Sequence, residues 1–183
     1  GDLQSLERIT GQFLLFAGGG DGEASVEVPL EQLLAEVASS HPADQLHLDL
    51  TPCSLAVKPV ALSRAVANLI DNAFSYGKAP VVLRLREVNA RCSIEIWDQG
   101  EGMPAHEWEQ ALQPFHRLDS SRGQQGHCGL GLAIVSHVAT LHGGRLECLQ
   151  GHLHPEEHPP GHFAIRLSLP WPGARNAPAV PQS

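Results

Sequence analysis

A chain of 183 residues supports one domain of ordinary size plus a flanking element, long enough to bury a core without metal or disulfide staples. Its 42% hydrophobic and 17% charged residues exclude a disordered chain, and 12 Lys+Arg against 20 Asp+Glu, a formal net charge of -8, argue against a nucleic-acid footprint. With no apolar run near the roughly 18 residues of a membrane span and no signal-peptide pattern, a soluble, intracellular chain is expected.

Leu3, Leu6, Ile9, Phe13 and Phe16 recur at steps of three and four, which predicts an amphipathic helix over 3–17. Ala17-Gly18-Gly19-Gly20-Asp21-Gly22 breaks it and reads as a linker, so the stripe must be buried on something else. VEV from Val26 is a short strand, and Pro29 with Leu30, Leu33, Leu34 and Val37 opens a helix. LHLDL (46–50) alternates, as does the weaker CSLAV after Pro52. A helix over 60–75 buries Leu62, Val66, Leu69, Ile70 and Ala73. VVLRLREV (81–88) and RCSIEIW (91–97) are alternating strands spaced to pair as a hairpin. Helices follow over 104–112 and from about Leu130 to Leu141, then strands over 145–149 and 162–170. The tail from Trp171 is rich in Pro and Ala and reads as frayed. Sequential strand pairs with helices at intervals define an α+β class: a two-layer sandwich whose mixed, mostly antiparallel sheet is covered on one face by about three helices.

The four cysteines, Cys53, Cys92, Cys128 and Cys148, form no CxxC pair, so a zinc knuckle is disfavoured and buried free thiols are expected. His152, His154, His158 and His162 cluster in GHLHPEEHPPGH, whose spacings match no closed metal site; the stretch reads as a solvated loop, with divalent-metal ligation the remote alternative.

Three constellations carry chemistry. Asn68 and Asn72 share one helix face with Tyr76, where an amide oxygen suits a hard cation such as Mg²⁺; a solvated face is the plain alternative. Asp98-Gln99-Gly100-Glu101-Gly102 follows a strand directly. A carboxylate there can accept from an exocyclic amine such as adenine N6, and glycines let the backbone approach a flat ligand; a simple turn explains it equally well. Gly126-His127-Cys128-Gly129-Leu130-Gly131-Leu132 leads into an amphipathic helix whose free N–H groups suit phosphate. It is neither a Walker loop nor a dinucleotide fingerprint, and a glycine-rich entry chosen for packing is its plain alternative.

Taken in order, NLIDNAFSYG, DQGEGMP and PFHRLDSSRGQQGHCGLGLAIVSHVATLHGG closely resemble the N, G1, F and G2 boxes of sensor histidine kinases, in the superfamily of gyrase, Hsp90, histidine kinase and MutL. The resemblance covers about residues 26–170, and GHCGLGLAIV is similar to an EnvZ/RstB-like subgroup. It implies that Asn72 coordinates Mg²⁺, Asn68 lies near the phosphates and Tyr76 lies against the adenine or ribose edge of ATP. It further implies that Asp98 accepts the adenine amine, with Gly100 and Gly102 folding the chain around the base. Phe115 would anchor a lid over about 113–129, Arg117 and Arg122 would contact phosphates or order that lid, and the Gly129-Leu130-Gly131-Leu132 stretch would present backbone N–H groups to the triphosphate.

The implied reaction is transfer of the ATP γ-phosphoryl to a histidine, then to an aspartate of a response regulator. The segment 1–17 resembles the second helix of a dimerisation and phosphotransfer hairpin, 18–25 a linker and 171–183 a flexible tail, which implies a homodimer in the full-length protein. The whole reads as the cytoplasmic portion of a bacterial inner-membrane sensor. Three features depart from the pattern: no phosphoacceptor H-[ED]-x-R-[TS]-P segment occurs, His127 replaces the usual first glycine, and Ser75 stands where many relatives carry Lys or Arg. The alternatives are a superfamily serine kinase or ATPase of the anti-sigma type, and a nucleotide-blind docking module.

Overall fold

The computed structural model describes residues 22–112 and 131–171, so the helix read over 3–17 and the segment 113–130 lie outside the described residues. The order is β1 (Val26–Pro29), α1 (Leu30–Ala38), β2 (Leu46–Leu50), β3 (Ser54–Val57), α2 (Pro59–Tyr76), β4 (Val81–Val88), β5 (Arg91–Asp98), α3 (Ala105–Ala111), α4 (Gly131–Leu141), β6 (Arg145–Gln150) and β7 (Phe163–Pro170). A 3-10 turn at Gly151–Leu153 separates the last two strands.

The main sheet runs β2-β4-β5-β7-β6, and β1 pairs with β3 in a separate two-stranded ribbon. β4 and β5 form the expected hairpin, closed by Asn89 and Ala90 at φ 52° and 63°. Two positive-φ residues match the twist of the flanking strands, as a two-residue hairpin requires. β2 joins β4 in parallel, because the chain crosses over through α2 before re-entering the sheet. The other pairings in this sheet are antiparallel. The architecture is therefore the α+β sandwich that the sequence predicts.

Register decides which side chains meet the helices. Leu50, Leu85, Ile94, Leu167 and Leu146 stand opposite one another across all five strands, as do Leu48, Leu83, Ile96, Ile165 and Cys148. These rows face inward except at Leu48, which stays exposed on the edge strand; beneath them α2 buries Leu62, Val66, Leu69 and Ile70, and α4 buries Ile134, Val135 and Val138. α1 adds Leu30 and Leu34, and the short α3 contributes Ala111. Each fully buried Leu or Ile contributes about 1.5–3 kcal/mol relative to exposure, so these rows hold the layers together.

The start of α2 is built by the chain that leads into the domain. Pro59 occupies the first turn, where its missing N–H is not needed. The Glu23 carboxylate accepts from the N–H groups of Val60 and Ala61 at 2.7 and 3.0 Å. His142, just past α4, completes the end: its Nε2 accepts from Lys58 N–H at 2.9 Å and its Nδ1 donates to the Val138 carbonyl at 2.8 Å.

One row on the outer face alternates in charge across the whole sheet: Asp49, Arg84, Glu95, Arg166, Glu147. Arg166 pairs with Glu147 at 2.8 Å, and Glu95, itself buried, accepts from the Trp97 indole at 2.9 Å. The histidine-rich stretch is mostly exposed, yet it is anchored on this face and not simply solvated. Glu156 grips Arg84 with two hydrogen bonds of 2.9 and 3.1 Å, and His154 stands edge-on to the fully buried Trp97. Among the described residues no group of three or more His, Cys, Asp or Glu could hold a metal ion.

The expectation of free thiols is corrected at two positions: Cys53 and Cys92 are joined in a disulfide. Cys92 faces inward with Ile94 and Ile96, and the loop before β3 brings Cys53 over it. The partners lie 39 residues apart, so no local spacing announces the pair. Cys148 is free, and burial raises its thiol pKa, which keeps it protonated. Among the described residues no helix is long and apolar enough to cross a membrane.

Candidate functional site

α2 is the spine of the site. Its apolar stripe is committed to the core, so the four-residue line of Asn68, Asn72 and Tyr76 falls on another side, where all three are half-buried. The helix ends at Gly77, directly against the end of β5. A Cβ on Gly77 would run into the Asp98 carboxylate, and one on Gly100 would stand 2.9 Å from Asp98 Oδ1 and 3.0 Å from Gly77 Cα. Two glycines thus let two backbones close around one acid.

Asp98 is only 4% exposed. Its Oδ1 accepts the Gly100 N–H at 2.7 Å. Burial is the largest influence on the group and raises its pKa above the ordinary 3.8, against the opposing pull of the Gly100 and Lys78 backbone N–H groups and of His162. The turn is also held from behind: Gln99 N–H donates to the Lys78 carbonyl at 2.8 Å, and His162 N–H to the Asp98 carbonyl at 2.9 Å. Gln99 Nε2 reaches the Pro160 carbonyl at 3.1 Å, tying the histidine-rich loop to the same turn. An ionised carboxylate accepts and never donates, so this corner suits a hydrogen-bond donor.

The second corner lies about one and a half helical turns back along α2. A Cβ on Gly131, the first residue of α4, would lie 3.9 Å from both amide atoms of Asn72. The first N–H groups of a helix lack partners within it, and the helix dipole makes that end positive. The start of α4 therefore lies beside the Asn72 amide, with the positive end of the helix dipole on that side.

Of the residues singled out in the sequence, Asn72, Tyr76, Asp98, Gly100 and Gly131 gather along the last turns of α2, with Asn68 one turn further back. Gly102 has φ 81° and leaves no room for a Cβ against the Phe163 ring, so it shapes the turn by packing. Leu132 is buried in the core and anchors the start of α4. Phe115, Arg117, Arg122, Gly129 and Leu130, with the 113–129 lid and His127, lie outside the described residues. Gly77 was missed by sequence reasoning. Its signal was a glycine closing a helix, which a plain C-cap explains equally well.

Residues 57–173 match the family described as histidine kinase-, DNA gyrase B- and HSP90-like ATPase, and the chain belongs to that family. This match runs from the last residue of β3 through β7, including both corners of the site. Its named relatives are sensor histidine kinases. The chain is 32% identical over 118 residues to sensor histidine kinase component HK1 of Mycobacterium tuberculosis, covering 64% of this chain and 66% of that protein. It is 34% identical over 118 residues to sensor protein RstB of Escherichia coli, covering 64% and 25% respectively.

Among solved structures, a mycobacterial sensor histidine kinase MprB superposes with a TM-score of 0.65 at 27% identity, over 80% of this chain and 97% of that one. The histidine kinase domain of the E. coli osmosensor EnvZ gives 0.59 at 30% identity, over 87% and 97%. These relatives support the EnvZ/RstB-like resemblance and not the serine-kinase or nucleotide-blind alternatives. The chain spans about two thirds of HK1 and a quarter of RstB.

Proposed function

We propose that this chain is the Mg-ATP-binding catalytic domain of a sensor histidine kinase, which delivers the ATP γ-phosphoryl to a histidine on another segment for relay to a response-regulator aspartate. The observation that carries the reading is the placement of α2, which touches Asp98 through Gly77 and the start of α4 through Asn72. An acceptor for an amine and a donor set for phosphates are thereby joined by one rigid element.

Asp98 accepts the adenine amine, and Gly77 and Gly100 admit the flat base beside it. Tyr76 borders the base or ribose, and Asn68 lies toward the phosphates. Gly102 shapes the adenine turn. Gly129, Leu130, Gly131 and Leu132 contribute backbone N–H groups to the triphosphate, while Phe115, Arg117 and Arg122 belong to the lid over 113–129.

The donor chemistry fits magnesium: the Asn72 amide offers a hard oxygen beside the positive end of α4. Asn72 would hold the ion through the nucleotide phosphates, and the bound ion supplies neutralisation of phosphate charge. The residues of this chain position the nucleotide and exclude water. The acceptor histidine belongs to a helical hairpin whose second helix is represented by 1–17, linked through 18–25 to a catalytic domain over 26–170 and followed by a tail over 171–183. The partners in this reading are that hairpin, a response regulator and a second copy of the full-length receptor, on the cytoplasmic side of a bacterial inner membrane.

Calorimetry with Mg·ADP tests the site. Binding by the unmodified chain and its loss in both Asp98→Asn and Asn72→Ala are expected. Equal affinity in all three proteins would sink the assignment.

A further inference from the structure

The face of the sheet turned away from the helices holds a second concavity. It is a cavity of about 540 Å³ lined by the β4–β5 turn, the start of β6 and the end of β7. Register explains why it exists. Ser93, Ser168 and Arg145 are consecutive partners across β5, β7 and β6, with Arg91 and Arg166 in the rows on either side. Two small hydroxyl residues make the floor, and long arginines make the walls. Trp171 closes one end, pinned by its N–H to the Ala90 carbonyl at 3.0 Å and by its indole to the Ser54 carbonyl at 3.2 Å. Ser93 lies five residues before Asp98 on β5, about 17 Å along the strand, and their opposite parity sends them to opposite faces.

The polar groups here are mismatched in one direction. Of the three arginines, Arg166 is already engaged, by Glu147 at 2.8 Å and by Glu95 at 3.9 Å, and Glu147 is the one carboxylate in the lining. Arg91 and Arg145 have no ion-pair partner among the described residues, in a chain whose net charge is -8. The Ser93 hydroxyl and Arg166 Nε are buried without hydrogen-bond partners, and Ser93 is 3% exposed. Buried polar atoms nearly always find partners. Both groups can donate, so what they call for is an acceptor that is also negatively charged.

We propose that this cavity binds the oxyanion of a small molecule, a phosphate ester or a carboxylate, held by Arg91 and Arg145 with Ser93 beneath and Trp171 against its body. The site is separate from the proposed nucleotide site in face and in position along the strands.

Amide NMR of the whole chain tests it, with inorganic phosphate and citrate titrated separately at ionic strength fixed with chloride. Saturable shifts at Arg91, Ser93, Arg145 and the Trp171 indole are expected, and whichever anion produces them identifies the class. Arg91→Gln and Arg145→Gln are each expected to weaken binding about tenfold, as the loss of one charge-assisted hydrogen bond does. Ser93→Ala, which removes only the buried hydroxyl, gives a second readout should an arginine variant fail to fold. No local shifts with either anion, shifts reproduced by chloride, shifts centred on Asp98 and Asn72, or affinity unchanged in the variants would each overturn the proposal.

Discussion

Asp98 is asked to be charged in a place that resists charge. Burial raises its pKa above 3.8, so the folded state holds its proton to higher pH than the unfolded chain does. Its contribution to stability is therefore full below the unfolded value and is lost as pH rises through the folded one. Asp98→Asn removes that titration, so its thermal midpoint is expected to fall less than that of the unmodified protein as pH climbs from about 4 toward neutrality. Mg·ADP affinity of the unmodified protein runs the other way, rising over the same window as the carboxylate ionises. A flat affinity profile would show that the acid does not meet the ligand. Gly77→Ala forces a methyl against this carboxylate and is expected to cost about 1–3 kcal/mol in urea denaturation. The acid and Gly100 were legible because they stand together in one short motif. Gly77 was not, because its partner lies 21 residues later.

Elements were legible to within a residue or two wherever periodicity is strong, as in VVLRLREV and the helix carrying Asn72. Their partners were less so. The separate β1–β3 ribbon and the parallel β2–β4 pair arise from packing between distant segments, which alternation within one strand does not encode. The Cys53–Cys92 pairing has the same origin. Two elements invite direct tests by chemical denaturation. Ala90 sits at φ 63°, where an L side chain is crowded, so Ala90→Gly is expected to stabilise the protein by about 0.5–1 kcal/mol. Glu23→Ala leaves two N–H groups at the start of α2 unmet and is expected to destabilise by about 1–2 kcal/mol.

At the scale of the molecule, the sheet separates two chemistries: an apolar inner face that fixes α2 and α4, and a charged outer face with the histidine-rich loop fastened across it. If both corners of the proposed site grip one nucleotide, Mg·ADP at a hundred times its dissociation constant should stabilise the whole domain by about 2.7 kcal/mol, and Asp98→Asn should remove that gain. Scanning calorimetry reads both. The 18 residues of α2 make a strut about 27 Å long. Glu23, on the chain arriving from upstream, clasps its near end, and the amides and tyrosine stand toward its far end. A tug on that arriving chain is thus delivered along a single stiff member to the place where the nucleotide would sit, with no hinge in between to absorb it.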